Sequence, residues 1–240
     1  MTTTMIDLRL GDWRTVLDDV TTCDALICDP PYLGACASAG GRAFKDVVNA
    51  SGPVMDYAPA DAEMLVSLCE WSRRCTGWCV FFNDFDGAHL IRKTLLAMKA
   101  VVAEPIAWVK PPAMSPARGS IILPQKGTEF IVCARFVKMS KWHTHLVGSY
   151  GSAPSTRPQD IGFTGGKPID LMRAIVRDYS RPGDLIVDPF CGSGTTAMAA
   201  AMEGRHCITS EFSLANHAIA SRRLGGHYQP GLFTPPADTP

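Results

Sequence analysis

The chain has 240 residues, a formal net charge of zero, 46% hydrophobic residues and 19% charged residues. This composition excludes wholesale disorder, and the length fits one domain with a substantial core. No apolar run reaches the roughly 18 residues that span a bilayer, and the N-terminus lacks the features of a secretory signal, so we expect a cytoplasmic protein with no membrane partner.

Strand-like apolar runs alternate with segments of helical periodicity, a pattern that predicts an α/β fold with a doubly wound, mostly parallel sheet. Strands are predicted at residues 24–28, 78–82, 105–109, 129–134, 185–187 and 206–209. Helices are predicted at residues 61–75 and 85–99, from Pro168 onward, and at residues 195–202 and 214–224. Residues 33–59, 110–119 and 138–166 lack periodicity and are predicted to be loops. We expect one domain over residues 1–228, followed by a flexible proline-rich tail at residues 229–240.

The most informative motif, Asp29-Pro30-Pro31-Tyr32, follows the apolar run at residues 25–28. The exocyclic amino group of a nucleobase is a poor nucleophile because its lone pair is delocalised into the ring. The Asp29 carboxylate and the Pro30 carbonyl would accept its hydrogens, while the prolines fix their directions and Tyr32 stacks on the base. Such a site requires the base to leave the duplex. The tetrapeptide alone is equally compatible with a tight turn at the end of a strand.

Two irregular segments, at residues 110–126 and 138–166, are candidate nucleic-acid-contacting loops. Between Lys110 and Lys167 there are eight basic and two acidic residues, a net charge of +6 in a neutral chain. Such asymmetry is typical of one basic face, and a solvated surface segment is the alternative. Lysines and arginines in these segments would contact phosphates, and aromatic or imidazole side chains would read bases. For each aromatic or imidazole side chain considered by itself, core packing or simple solvation is the favoured alternative. The candidates are Lys110, Arg118, Lys126, Lys138, Lys141, Trp142 and His143.

A glycine-rich turn lies 159 residues after the first motif, between an apolar run and a predicted helix. Glycines allow a tight turn and close approach to a ligand, and an acid about 20 residues on suits ribose hydroxyls. The third glycine of a dinucleotide fingerprint is replaced by Ala197, and no Gly-Lys-Ser/Thr phosphate loop is present. A cationic sulfonium cofactor is therefore favoured over a dinucleotide or a purely structural turn. The candidate cofactor residues are Asp188, Phe190, Gly192, Gly194, Thr195 and Glu211.

The nine cysteines contain no Cys-x-x-Cys pair, and several of them lie in apolar runs. This odd, scattered set is typical of buried, reduced thiols rather than of a disulfide framework or a metal site. We therefore predict no metal centre.

In combination, the two motifs resemble those of the β-class amino-methyltransferases, which methylate DNA at adenine N6 or cytosine N4. In that class the catalytic motif precedes the cofactor motif, as Asp29–Tyr32 precedes Asp188–Thr196 here. The similarity covers residues 6–28 together with Asp29–Tyr32, which we call the cup, and residues 108–110 and 167–224. It implies a Rossmann-like methyltransferase fold with circularly permuted motif order, S-adenosylmethionine as cofactor and double-stranded DNA as partner.

The resemblance also implies roles for residues outside the two motifs. Lys167, at the start of a Lys-Pro helix, would lie near the methionyl part of the cofactor, and Asp12 would lie near its adenine. An Asp at the first cup position favours adenine N6 as the target. Cytosine N4 is the alternative, followed by RNA and by a non-catalytic nucleic-acid-binding relative. Leu33 replaces an Asn found in many relatives, and no separate recognition domain is evident, which is compatible with a homodimer.

Overall fold

The computed structural model describes residues 4–33, 61–110, 128–137, 146–151 and 166–225. The strands in chain order are β1 (Ile6–Leu10), β2 (Cys23–Cys28), β3 (Cys75–Asn83), β4 (Val101–Val102), β5 (Ile106–Val109), β6 (Thr128–Arg135), β7 (Ser149–Gly151), β8 (Leu185–Asp188) and β9 (His206–Glu211). The helices are α1 (Trp13–Val16), α2 (Ala62–Trp71), α3 (Phe85–Ala97), α4 (Ile169–Tyr179), α5 (Thr195–Met202) and α6 (Leu214–Leu224). A 3-10 turn, Ser72–Arg74, follows α2.

These strands form one sheet in the order β1-β9-β8-β2-β3-β6-β5-β7, with β4 paired beside β6. Strands β1, β9, β8, β2 and β3 are parallel neighbours. Strand β6 alone is reversed, because it pairs antiparallel with β3, β4 and β5. The predicted mostly parallel sheet is therefore confirmed.

Helices cover both faces of the sheet. Side chains of α4, α5 and α6 pack on one face with Ile27, Val80 and Ile186. Side chains of α1, α2 and α3 pack on the other face with Leu26, Phe81 and Val187. Alternate residues of the central strands therefore enter different cores, which explains why these strands read as continuous apolar runs.

The adjacency of β2 and β8 positions the candidate site. Leu26 is the register partner of Val187 in a parallel pair. The strand before Asp29 and the strand before Gly192 therefore end side by side. Ligands of doubly wound sheets bind at such carboxyl ends.

The structure corrects several predicted boundaries. The helix expected at residues 61–75 ends at Trp71, because Cys75 already begins β3 as the parallel partner of Cys23. Ser149–Gly151, within a segment expected to be irregular, pairs with β5 at Ala107–Val109. Strands β1 and β4 were not predicted. Most of the loop expected at residues 33–59, and the proline-rich tail, lie outside the described residues.

Eight cysteines are described, and all eight are buried and free. They line both cores rather than forming a separate cluster at the surface. Among the described helices, none combines the length and the apolar character that crossing a bilayer requires.

Candidate active site

Asp29 follows the last residue of β2, whose buried apolar side chains fix the direction in which the chain leaves the sheet. One carboxylate oxygen, Oδ2, forms an ion pair with Lys167 Nζ. The other oxygen, Oδ1, is buried and accepts no hydrogen bond from any residue that the structure describes. A buried acceptor without a partner is costly, so Oδ1 is the atom of this site best placed to receive a ligand donor.

Lys167 lies in the cup with its side chain only 8% exposed. Its Nζ is 3.2 Å from the Tyr32 hydroxyl and 3.3 Å from Glu129 Oε2, in addition to its contact with Asp29. These contacts join the loop after β2, strand β6 and the start of α4. The structure thus places this ammonium beside Asp29 and Tyr32, whereas the resemblance implied a position near the cofactor.

Three aromatic rings surround the same ammonium. The distances from Lys167 Nζ to the ring centroids are 5.4 Å for Phe82, 5.5 Å for Tyr32 and 5.9 Å for Trp108. Rings at this range stabilise a cation through their negative faces. The three rings therefore help to hold the Lys167 ammonium in the cup.

Glu129, in β6, was not predicted to belong to the site. It pairs with Lys110 through Oε1 and with Lys167 through Oε2. The sequence signal that could have revealed it is an acid at the start of an apolar run. In the structure, Glu129 is only 9% exposed. Lys110, which also lies 5.0 Å from the Trp108 ring, is thus engaged inside the site, so it and Lys167 contribute less to a basic face than their charges suggest.

The pKa values of these groups follow from burial and mutual attraction. Burial raises the pKa of the Asp29 carboxyl, and the Lys167 ammonium opposes that rise. Burial works against ionisation of Glu129 as well, but Lys167 and Lys110 outweigh it and lower its pKa. Burial opposes the charge of Lys167 too, yet Asp29 and Glu129 raise its pKa. The lysine is therefore a permanent cation and not a nucleophile.

The candidate cofactor turn follows β8. Gly192 and Gly194 have φ values of 54° and 80°, in the left-handed region that favours glycine. Gly194 is also the N-cap of α5, and a Cβ there would lie 3.4 Å from Leu224 Cγ. The turn thus places backbone N–H groups and the start of α5 at the edge of the sheet where the cup also lies.

Glu211, the last residue of β9, stabilises this turn through hydrogen bonds to its carboxylate. Its Oε2 accepts the Gly192 N–H at 2.8 Å, and its Oε1 accepts the Ser213 N–H at 2.9 Å. A carboxylate has about four acceptor positions, so further donors can still be bound. This arrangement fits the ribose hydroxyls of an adenosyl cofactor.

Asp188 and Phe190 lie within the turn. Asp188 is 2% exposed, its Oδ1 accepts the Phe190 N–H at 2.9 Å, and burial raises its pKa to about 7. The Phe190 ring centroid is 6.1 Å from that of Trp13. A cation placed between this carboxyl and this ring would be stabilised, as a sulfonium requires.

Asp12 and Thr195 have structural partners. Asp12 caps α1 by accepting the Arg14 N–H at 2.9 Å, and the Gly11 N–H before it donates to the Glu211 carbonyl at 2.9 Å. Asp12 therefore lies beside the residue expected to bind ribose. Thr195 Oγ1 is 2.8 Å from Arg223 Nη1, a contact that the sequence did not predict.

The remaining predicted DNA contacts lie outside the described residues and stay predictions. They are Arg118, Lys126, Lys138, Lys141, Trp142 and His143. The cup residues Pro30 and Pro31 are described, the first buried and the second half-buried.

Comparison with known proteins agrees with this geometry. The N6/N4 methyltransferase family model, described as DNA methylase, matches residues 23–222. The type II methyltransferase M.EcaI of Enterobacter cloacae is 45% identical over 53 residues, which are 22% of this chain and 12% of that protein. The matched segment is thus a small part of that relative's length.

Solved structures match nearly the whole chain. M1.HpyAVI, in a complex with SAM, is 24% identical with a TM-score of 0.63, over 92% of this chain and 100% of that one. The PvuII DNA methyltransferase, specific for cytosine N4, is 16% identical with a TM-score of 0.67, over 92% and 87% of the two chains. These neighbours confirm the Rossmann-like fold expected from the sequence. The family match, together with this fold, shows that the chain belongs to the N6/N4 DNA methylase family.

Proposed function

We propose that this chain transfers a methyl group from S-adenosylmethionine to the N6 amino group of an adenine flipped out of double-stranded DNA. One observation carries the proposal. Asp29 and the turn after Asp188 lie at the carboxyl ends of β2 and β8, which are hydrogen-bonded neighbours in the sheet. Because both motifs lie at the same edge of the sheet, an amino group in the cup would face a methyl donor on the turn.

Asp29 is the residue on which the chemistry depends. Its Oδ1, which accepts no hydrogen bond from the described residues, would accept one amino hydrogen, and the Pro30 carbonyl is the expected second acceptor. The amino nitrogen would then attack the methyl carbon in line, with the C–N bond forming as the C–S bond breaks. One amino proton is lost afterwards, and the Asp29 carboxylate is the nearest group proposed to accept it.

The residues of the turn fit the methyl donor. S-adenosylmethionine supplies an electrophilic methyl group on a cationic sulfur. The spare acceptor positions of Glu211 suit its ribose, and the Phe190 ring with the Asp188 carboxyl suits its positive charge. The SAM complex of M1.HpyAVI, a neighbour of the same fold, supports this assignment.

The proposal also names the base that is methylated, adenine rather than cytosine. Asp at the first cup position favours adenine, by the resemblance described above. The cytosine-N4-specific PvuII enzyme has the same fold, with a TM-score of 0.67, so cytosine N4 is the second candidate. Both targets are exocyclic amino groups on a planar ring, and the Asp29 cup would activate both in the same way.

The product of the reaction tests the proposal. The purified chain is incubated with S-adenosylmethionine carrying a labelled methyl group and with unmethylated duplex DNA, and the DNA is digested to nucleosides for mass spectrometry. We expect labelled N6-methyladenine. Label in N4-methylcytosine would reject the base assignment, and cofactor binding without transfer to any nucleic acid would reject the enzymatic function.

The DNA interface is tested separately. Counterions released from phosphates make DNA affinity fall steeply with salt, if the basic segment at residues 110–167 lies against DNA. Binding to labelled duplex DNA is measured between about 50 and 200 mM salt, where several phosphate contacts predict a loss of 10-fold or more. Salt-independent binding would contradict a role for this segment.

A further inference from the structure

We propose that Lys167 is a positioning residue for methyl transfer, whose ammonium holds one oxygen of Asp29 so that the other remains an ionised acceptor aimed at the incoming amino group. This inference rests on the proposed function and deepens it. Lys167 would act through Asp29 and would not itself touch the methyl group.

The two oxygens of Asp29 have different environments. Oδ2 accepts from Lys167 Nζ, while Oδ1 is buried and accepts no hydrogen bond within the described part of the chain. A carboxylate held at one oxygen by a fixed cation cannot turn that oxygen toward another donor. The ammonium therefore sets the direction of Oδ1 before any base arrives, which is the preorganisation that catalysis by hydrogen-bond acceptors needs.

Lys167 can hold Asp29 because its own position is fixed. Glu129 Oε2 lies 3.3 Å from Nζ, on β6, and the Tyr32 hydroxyl lies 3.2 Å away. The next residue, Pro168, is the N-cap of α4 and restricts the backbone at this point. The side chain is 8% exposed, so water does not compete strongly for the ammonium. Three parts of the chain, the loop after β2, strand β6 and the start of α4, thus meet at one nitrogen atom.

Lys167 has a second effect on Asp29, because its positive charge favours the ionised form of the carboxyl. Burial and the negative charge of Glu129 both favour the protonated, inactive carboxyl, and the Lys167 cation favours the ionised form. Asp188 on β8 adds a further repulsive charge, and Lys110 acts on Asp29 through its pairing with Glu129. The titratable and charged groups facing Asp29 are Cys28, Tyr32, Lys110, Glu129, Lys167 and Asp188.

Two other roles for Lys167 give different expectations. If the ammonium only filled space, its loss would change stability and leave the pH dependence of catalysis unchanged. If it blocked the cup until a base displaced it, its removal would lower KM for DNA and preserve kcat. The contact with a single oxygen of Asp29 favours positioning, since the second oxygen remains available while the lysine is in place.

The test compares Lys167→Met and Glu129→Gln, which remove opposite charges from the same cluster. The pH dependence of kcat is measured at saturating S-adenosylmethionine, with Lys93→Met on the exposed side of α3 as control. Asp29 must be ionised to act, so activity falls as pH drops through its pKa. In Lys167→Met, loss of the cation raises the pKa of Asp29, so the fall in activity moves to higher pH by about 1 unit or more. In Glu129→Gln, loss of the negative charge lowers the pKa of Asp29, so the fall moves to lower pH. At pH 7 we expect kcat of Lys167→Met to fall 10-fold or more while KM for the cofactor changes less than about 3-fold.

Shifts in the same direction for both variants, or an unchanged profile for Lys167→Met, would overturn the inference. A wild-type protein without transfer activity would instead reject the proposed function. If Lys167→Met does not fold, Lys167→Arg is measured in its place. This variant keeps the positive charge, so we expect its pH profile to stay unchanged. Its kcat is expected to fall because the guanidinium has a different geometry. A pH-profile shift in that variant would also contradict the role.

Discussion

The glycine turn and the Asp29 cup are built by different means, although they end neighbouring strands. The turn is made mostly of backbone: two glycines with left-handed φ values, and N–H groups held by Glu211. The cup is made of charged side chains from four elements, with Asp29 and Lys167 separated by 138 residues. The glycine turn, where the cofactor is proposed to bind, is thus formed mainly by residues close together in the sequence. The cup, where the base is proposed to bind, forms only when distant strands pair in the sheet.

This difference assigns separate effects to the two regions. Changes in the turn are expected to act on cofactor affinity or on stability, since its groups shape a binding surface. Changes in the cup are expected to act on the rate of transfer, since its charges would act on the amino group that is proposed to react. The variants below compare the two regions in order of decreasing effect.

Asp29→Ala is expected to produce the largest loss. Removing the acceptor Oδ1 leaves the amino lone pair delocalised, and loss of such a preorganised group lowers kcat about 1,000-fold. The cofactor dissociation constant is expected to stay within a few-fold of wild type, because the turn is untouched. Labelled methyl transfer gives kcat, and calorimetry gives cofactor affinity. Equal losses in both quantities would remove the distinction between the regions.

Glu211→Gln is expected to show the opposite profile. The amide retains one acceptor oxygen but loses the charge that binds the Gly192 and Ser213 N–H groups. Hydrogen bonds to a charged group are the stronger ones, so cofactor affinity is expected to fall about 10-fold. At saturating cofactor, kcat recovers. A kcat that stays low at saturation would place Glu211 in the chemical step.

Gly194→Ala and Gly204→Ala form a matched pair. Both glycines have left-handed φ, 80° and 76°, but Gly204 lies outside the turn and its Cβ would meet no atom within 4 Å. Each substitution is expected to cost about 1 kcal/mol in the free energy of unfolding through backbone strain. Only Gly194→Ala is expected to weaken cofactor binding as well. Urea denaturation and calorimetry measure the two effects, and equal cofactor affinity in both variants would argue against a ligand at the turn.

Asp188 gives a different kind of effect, a change in how stability depends on pH. Its folded pKa of about 7 lies above the unfolded value of 3.8, so the folded state holds a proton that the unfolded state releases. The contribution of this group to stability is full below pH 3.8 and is lost as pH rises to about 7. Asp188→Asn cannot titrate and is expected to flatten that part of the profile. Urea midpoints measured across this range test the expectation, and parallel profiles for the two proteins would contradict it.

The sequence predicted the locally encoded parts of the molecule well. Helices α5 and α6 begin and end at the predicted residues, because glycine, serine and apolar spacing determine them within a short segment. The adjacency of β2 and β8 agrees with the rule that ligands of doubly wound sheets bind at the carboxyl ends of neighbouring strands.

The non-local parts escaped prediction. Glu129 reaches the cup because β6 pairs antiparallel with β3, and Lys167 reaches it from the start of α4. Neither placement follows from local periodicity. Strand β7 has three residues and is defined by its pairing with β5, so its sequence carried no strand signal.

The central claim is that the cup and the turn form one site in which an amino group faces a methyl donor. A bisubstrate analogue, with the N6 atom of adenosine linked to the cofactor skeleton at the position of the transferred methyl group, tests this directly by calorimetry. The account predicts that it binds at least about 100-fold more tightly than the demethylated cofactor alone, through the effective concentration of the linked half. It also predicts that Asp29→Ala abolishes this gain. An analogue that binds no better than the cofactor half, in a protein that binds that half normally, would contradict the account.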